Sequence, residues 1–132
     1  MPRILGVRGA ITVESNTAEA IREATRTLLA EMVRANDVET DEIAAVIFTL
    51  TTDLNAAFPA EGARQMGWTA VPLLSSTEIA VPGALERCLR VLMLVNTSRS
   101  QGEITHVYLR GAEALRPDLN PHLRHAAPAG DS

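Results

Sequence analysis

Cys88-Leu89-Arg90-Val91-Leu92-Met93-Leu94-Val95 is the stretch whose reading decides the fold. Residues 88, 92 and 94 alternate with 89, 91, 93 and 95, and both sets are apolar, the pattern of a strand covered on two faces. Arg90 interrupts one face near the start of the run. A guanidinium keeps its proton, so a covered one needs anionic or acceptor partners. Upstream, Ser75-Ser76-Thr77-Glu78 closes another apolar run and supplies one such partner, Glu78. A bound anion is another. An internal Arg90–Glu78 pair, or an arginine reaching solvent at a strand end, meets the same need without any ligand.

Working outward, Val71-Pro72-Leu73-Leu74-Ser75 reads as a strand, and Pro82-Gly83 as a turn before the Arg90 run. Ile43 to Thr51 is apolar on both faces, hence a central strand. Between these runs, Pro59 suits the first turn of a short helix carrying Arg64, and Gly67 suits its C′ end. Residues 3 to 13 form a further strand, broken by Gly6 and Gly9, with Arg8 between them. Glycines there allow a bend or a close approach, which presents Arg8 at a rim or cleft. Asn16 reads as an N-cap with Glu19 three residues on, as in a capping box. Ile21, Ala24, Leu28, Met32 and Ala35 then recur at helical spacing, with Glu19–Arg22, Glu23–Arg26 and Glu31–Arg34 on the solvated face. After a polar loop at 96–103, Ile104 to Leu109 reads as a last strand with His106 and Tyr108 on one face, followed by one helical turn near 111–115.

The layout is therefore α/β, an α+β mixed sheet with one layer of helices. A chain of 132 residues fits one domain with a real core. The expected division is a single catalytic domain at 1–119 and a flexible C-terminal tail at 120–132. One long helix cannot cover every apolar strand face, so the surplus face is expected to bury against other copies of the chain.

A net charge of −4 favours neither nucleic acid nor an anionic membrane, so a site for an anion must be built locally from a few arginines. No apolar run approaches the length of a membrane span, and the N-terminus is too soon interrupted for a signal peptide. Cytoplasmic residence is the expectation. The lone Cys88 reads as a buried structural thiol rather than a nucleophile. His106, His122 and His125 lack metal-ligand spacing, so no metal is expected, and no phosphate loop, dinucleotide fingerprint or nucleophile elbow can be read. Catalysis, if present, is expected to need no cofactor. Arginines near strand ends, one glutamate, one tyrosine and apolar walls can bind a small organic dianion and place charge against it.

Those residues carry a resemblance. Gly6-Val7-Arg8-Gly9-Ala10-Ile11-Thr12-Val13-Glu14 is similar to the opening of the trimeric, barrel-like class of chorismate mutases. So are Thr52-Asp53-Leu54, Ala57-Phe58-Pro59-Ala60, Val71-Pro72-Leu73, Cys88-Leu89-Arg90-Val91, His106-Val107-Tyr108-Leu109 and Leu115-Arg116-Pro117-Asp118-Leu119. The motifs run in order from about residue 6 to 119. The resemblance implies a homotrimeric pseudo-α/β barrel with active sites between subunits, and conversion of chorismate to prephenate on the route to phenylalanine and tyrosine. It implies a site of Arg8, Leu74, Ser75, Ser76, Thr77, Glu78, Arg90 and Tyr108, with Phe58 and Arg64 from a neighbouring subunit's side and Leu115 and the tail helping to close it. Arg90, Glu78 and Arg8 would carry the catalysis. Glu61 stands where a lysine can occur, and Leu74-Ser75 where Thr-Cys can occur, which leaves backbone contacts at 74 and 75. Two other readings compete: an enamine/imine deaminase-like trimer, and a non-catalytic module binding a small dicarboxylate.

Overall fold

The computed structural model describes residues 2–116; the expected tail and the Pro117-Asp118-Leu119 end of the resemblance lie outside the described residues. The elements run β1 (Arg3–Thr12), α1 (Ala18–Asn36), β2 (Ile43–Leu50), α2 (Pro59–Gln65), β3 (Leu73–Thr77), β4 (Cys88–Thr97) and β5 (Val107–Leu109). Short 3-10 turns lie at Thr40–Glu42, Gln101–Glu103 and Arg110–Leu115. Among the described residues, no helix is long and apolar enough to cross a membrane.

The strands form one sheet in the order β3-β2-β4-β1-β5. The long β4, which contains the Arg90 run, is the centre and pairs antiparallel with both β1 and β2. The short β3 and β5 flank it as parallel outer strands on β2 and β1. Successive side chains of a strand point to opposite faces. Val7, Ile11, Val46, Phe48, Leu89, Val91, Met93 and Val95 are buried and join Ile21, Ala24, Leu28, Leu29 and Met32 of α1 in one apolar core. Here lies the fold's main stabilisation, since burying one such side chain is worth about 1.5–3 kcal/mol.

The second face is different. It carries Ile4, Arg8, Leu92, Leu94 and Leu74, of which Ile4 is 57% and Leu74 64% exposed. A single helical layer covers one face of the sheet, so within one chain most of the other stays open, except where the Arg110–Leu115 turn covers Ala10, Cys88 and Tyr108. That open apolar face is the surplus anticipated from the sequence.

Several local expectations need correction. Thr17, not Asn16, caps α1: its side chain accepts the N–H of Ala20. Asn16 instead reaches across to the β2–α2 connection, where its Oδ1 accepts the N–H groups of Asn55 and Ala56. Glu19–Arg22 and Glu31–Arg34 pair on the helix face, but Glu23 bonds Arg110 and Thr27, while Arg26 bonds Glu19 and Gln65. Tertiary partners outcompete i,i+3 neighbours there. β3 starts two residues later than the apolar run suggests. β5 is shorter than expected because Thr105 N–H is taken by the buried Asn36 side chain rather than by the ladder.

Gly9 serves packing rather than a bend. A β-carbon there would lie 2.5 Å from Met32 Sδ and 3.2 Å from Leu28, so its absence lets α1 sit close on β1. Pro59 occupies the first turn of α2, and Gly67, with φ +87°, follows its last turn as expected.

Candidate active site

Sheet register assembles the site on the open face. Ala10 of β1 and Thr49 of β2 are both opposite Arg90; Tyr108 of β5 is opposite Ala10, and Ser76 of β3 opposite Thr49. One row across five strands therefore reads Tyr108, Ala10, Arg90, Thr49, Ser76. The adjacent row, two residues along each strand, reads Arg8, Leu92, Ile47, Leu74. Between them lies a cavity of about 270 Å³, flanked by Arg8, Arg90 and Tyr108 over a floor of Ala10, Ile47, Thr49 and Leu92. Larger concavities elsewhere among the described residues are lined by Glu14, Glu19 and Glu23, or by Glu14 and Glu86, each with one arginine, and have no such gathering of cations over apolar walls.

Arg90 is the centre of the electrostatics. Its Nε lies 3.8 Å from Glu78 Oε1, beyond hydrogen-bonding range, with both side chains about three-quarters covered. The same Nε is buried and has no hydrogen-bond partner among the described residues. Glu78 is held from the other side: Thr49 Oγ1 donates to Glu78 Oε1 at 2.6 Å. The Glu78 backbone N–H donates to Leu50 O at 2.8 Å, continuing the β2–β3 pairing one step and turning the carboxylate toward β4. Both internal partners suggested by the sequence are thus in reach of one another, yet the pair is not closed.

The start of β4 is clamped. Thr51 Oγ1 accepts the Cys88 N–H, and the Asp53 carboxylate accepts the Arg87 N–H at 2.9 Å. Arg87 has φ +45°, an unfavourable conformation for a non-glycine residue, held by these contacts. The Thr52-Asp53-Leu54 motif therefore fixes the strand that carries Arg90. Cys88 is buried two residues before Arg90 on the same face, against Ala10 and Tyr108. Burial pushes its thiol up to about 11, against a partial opposing pull from the Arg90 guanidinium, which makes it a poor nucleophile.

His106 is structural. Its Nδ1 accepts the Arg8 backbone N–H at 3.0 Å and so ties β5 to β1 at the point where Arg8 enters the cavity. Burial, then the charges of Arg8 and Arg116, hold its pKa below the usual histidine value. The neutral ring with its proton on Nε2 is the form that accepts this bond.

The other residues singled out from sequence divide by strand parity. Leu74, Ser76 and Glu78 lie on the side of Arg90. Ser75 and Thr77 are opposite Phe48 and Leu50, on the helix-facing side, so only their backbone is available to the cavity. Leu115 is buried with Tyr108, Ala10, Cys88 and Ala112 in a small cluster that continues from the cavity. Phe58 is 68% exposed at the N-cap of α2, and Arg64 is exposed on the same helix. That helix packs on α1 in the helical layer, and neither residue lines this chain's cavity. Glu61 is turned away too, paired with Arg22 of α1 at 3.0 Å. Ala10, Ile47, Thr49 and Leu92 were not singled out from sequence. Their signal was present in the alternation of β1, β2 and β4, but which parity faces the cavity is set only by the cross-strand register.

Two guanidiniums and a phenol thus surround a small, largely apolar floor, with a fixed carboxylate beside one of the guanidiniums. Such a site can grip a compact dianion, align it and present a charged donor to an oxygen within it.

A family model described as chorismate mutase type I matches residues 4–119. The chain is 58% identical over 117 residues to chorismate mutase AroH of Thermus thermophilus, covering 88% of this chain and 96% of that protein. It is 41% identical over 118 residues to chorismate mutase AroH of Bacillus subtilis (strain 168), covering 89% and 93%. The solved chorismate mutase from Clostridium thermocellum Cth-682 superposes with a TM-score of 0.82 at 53% identity, covering 83% of this chain and 98% of that one.

Proposed function

The chain belongs to the type I chorismate mutase family, and from that premise we propose that its open sheet face converts chorismate to prephenate in a cleft shared between three copies. The activity is an isomerisation in aromatic amino acid biosynthesis. With the family assigned, the deaminase-like and binding-module readings fall away.

The reaction is an intramolecular [3,3] rearrangement: a C–O bond breaks as a C–C bond forms, with no proton transferred and no nucleophile required. Two tasks remain for the protein. The enolpyruvyl arm must be folded over the ring, which is positioning. Negative charge growing on the ether oxygen must be stabilised. A preorganised donor in a dry site is typically worth about 3–4 kcal/mol in the transition state. The observation that carries the reading is Arg90: a largely covered guanidinium whose buried Nε has no hydrogen-bond partner among the described residues, beside an apolar cavity. In the proposal it donates to the ether oxygen. Arg8 and Tyr108 hold a carboxylate, and Glu78 accepts from the ring hydroxyl. Leu74 walls the ring, and Ser75 contributes backbone only.

The trimer follows from the same argument. Ile4, Leu74 and Leu92 leave the cavity's surroundings apolar and open in one chain, and a site for a dianion works best with water excluded. A neighbouring copy would close it and bring Phe58 and Arg64, which face away from their own chain's cavity. Together the three sheets would form the pseudo-α/β barrel. Such a trimer would work in the cytoplasm, where a reduced Cys88 is at home.

The test is direct. Purified protein, without added metal or cofactor, should consume chorismate, followed as loss of its ultraviolet absorbance, with prephenate as the product. Chorismate left intact by folded protein refutes the proposal.

A further inference from the structure

We infer that Thr49 is a positioning residue for this reaction: its hydroxyl holds the Glu78 carboxylate on β2 and so keeps the Arg90 guanidinium open toward the cleft. The inference rests on the function proposed above and deepens it.

Three observations carry it. Thr49 and Arg90 are direct cross-strand partners on one face, so both reach toward the same group from adjacent strands. They compete for one atom: Glu78 Oε1 lies 2.6 Å from Thr49 Oγ1 and 3.8 Å from Arg90 Nε. The Arg90 Nε is buried and unbonded among the described residues, although a carboxylate stands about 1 Å beyond contact. A charge-assisted bond between guanidinium and carboxylate is stronger than one from a hydroxyl. An ion pair held short of closure therefore needs something to hold it, and Thr49 is the group bonded to the carboxylate.

Glu78 has freedom to move. It follows the last residue of β3 and begins the irregular stretch leading to the Pro82-Gly83 turn, with its backbone fixed by the single N–H bond to Leu50. Without the Thr49 donor, the carboxylate swings onto Arg90. The guanidinium is then drawn toward Glu78, and its outer N–H groups are turned from the ether oxygen. The loss falls on the transition state more than on substrate binding, because the ether oxygen gains its charge only as the bond breaks.

The experiment compares three substitutions in the assembled protein, by steady-state turnover of chorismate and by thermal unfolding. Thr49→Val keeps the shape and removes the donor; Thr49→Ala removes the donor with a smaller side chain; Thr49→Ser keeps the donor. The expected result is a kcat at least tenfold lower for Thr49→Val and Thr49→Ala, with KM changed by a smaller factor than kcat. Thr49→Ser should stay within threefold in kcat. The inference is overturned if the donorless variants keep kcat within threefold, if the loss appears in KM alone, or if Thr49→Ser loses as much as Thr49→Val. It is equally overturned if only the serine variant folds, since the hydroxyl is then structural. A parent protein inert toward chorismate sinks the proposed function instead, so the two failures are distinguishable.

Discussion

Replacing Gly62 by alanine sets two effects of opposite sign against each other. Gly62 lies inside α2, where alanine is intrinsically better by about 1 kcal/mol. But a β-carbon there would stand 2.8 Å from the Arg22 carbonyl oxygen and 2.9 Å from Thr25 Cβ. Optimal carbon contacts lie at about 3.5–4.0 Å, so α2 must retreat from α1 by roughly 0.5–1 Å. Neither neighbour can yield easily. One is helix backbone; the other is a fully buried threonine whose hydroxyl donates to Ile21 O at 2.7 Å. Overpacking of this kind costs about 1–3 kcal/mol and exceeds the propensity gain. The retreat also stretches the Arg22–Glu61 pair between the helices. The expected net effect is a destabilisation of up to about 2 kcal/mol. Urea unfolding followed by the fluorescence of Trp68 reads it well, because this single tryptophan is buried and its backbone N–H donates to Ala63 O of α2. At fixed protein concentration the midpoint should fall with an unchanged slope. A midpoint that rises, or does not move, refutes the close-approach argument and hands the position to propensity.

Two further outcomes are expected. Arg90→Lys should lower kcat by about 10²–10³-fold, because a point charge cannot reproduce a planar fork at the ether oxygen; chorismate turnover within a few-fold of the parent removes Arg90 from its role. Acidification should weaken the fold through His106: its folded pKa lies below the unfolded value of about 6.5, so its contribution is complete above the unfolded value and is lost as pH falls from there through the folded pKa. Unfolding midpoints between about pH 7.5 and 5.5 should fall more steeply for the parent than for His106→Asn, which keeps an acceptor for the Arg8 N–H but does not titrate; parallel slopes contradict this.

Much of the architecture was legible because β1, α1, β2 and β4 are long and strongly patterned, and because Pro59 and Gly67 bracket α2. What escaped was whatever depends on partners distant in sequence. Thr17 wins the cap because Asn16 is drawn to Asn55 and Ala56. Glu23 abandons Arg26 for Arg110, eighty-seven positions away. Arg8, Glu78, Arg90 and Tyr108 stood out as charged or polar residues in apolar runs. Thr49 did not, since one threonine in a run read as apolar on both sides has no visible parity until β2 is registered against β4. The same register moves Ser75 and Thr77 to the far side of the sheet.

The division of labour between the two sides of the sheet has a consequence for how this scaffold can change. Folding instructions sit on the surface beneath the helices, and chemistry sits on the reverse of the same strands, one residue out of step. Positions 47, 49, 76 and 92 can therefore be varied together to reshape what the pocket accepts while the hydrophobic interior stays untouched. Diversity restricted to that parity should yield many folded proteins with altered ligand preference, whereas shifting every position by one should yield mostly insoluble chains.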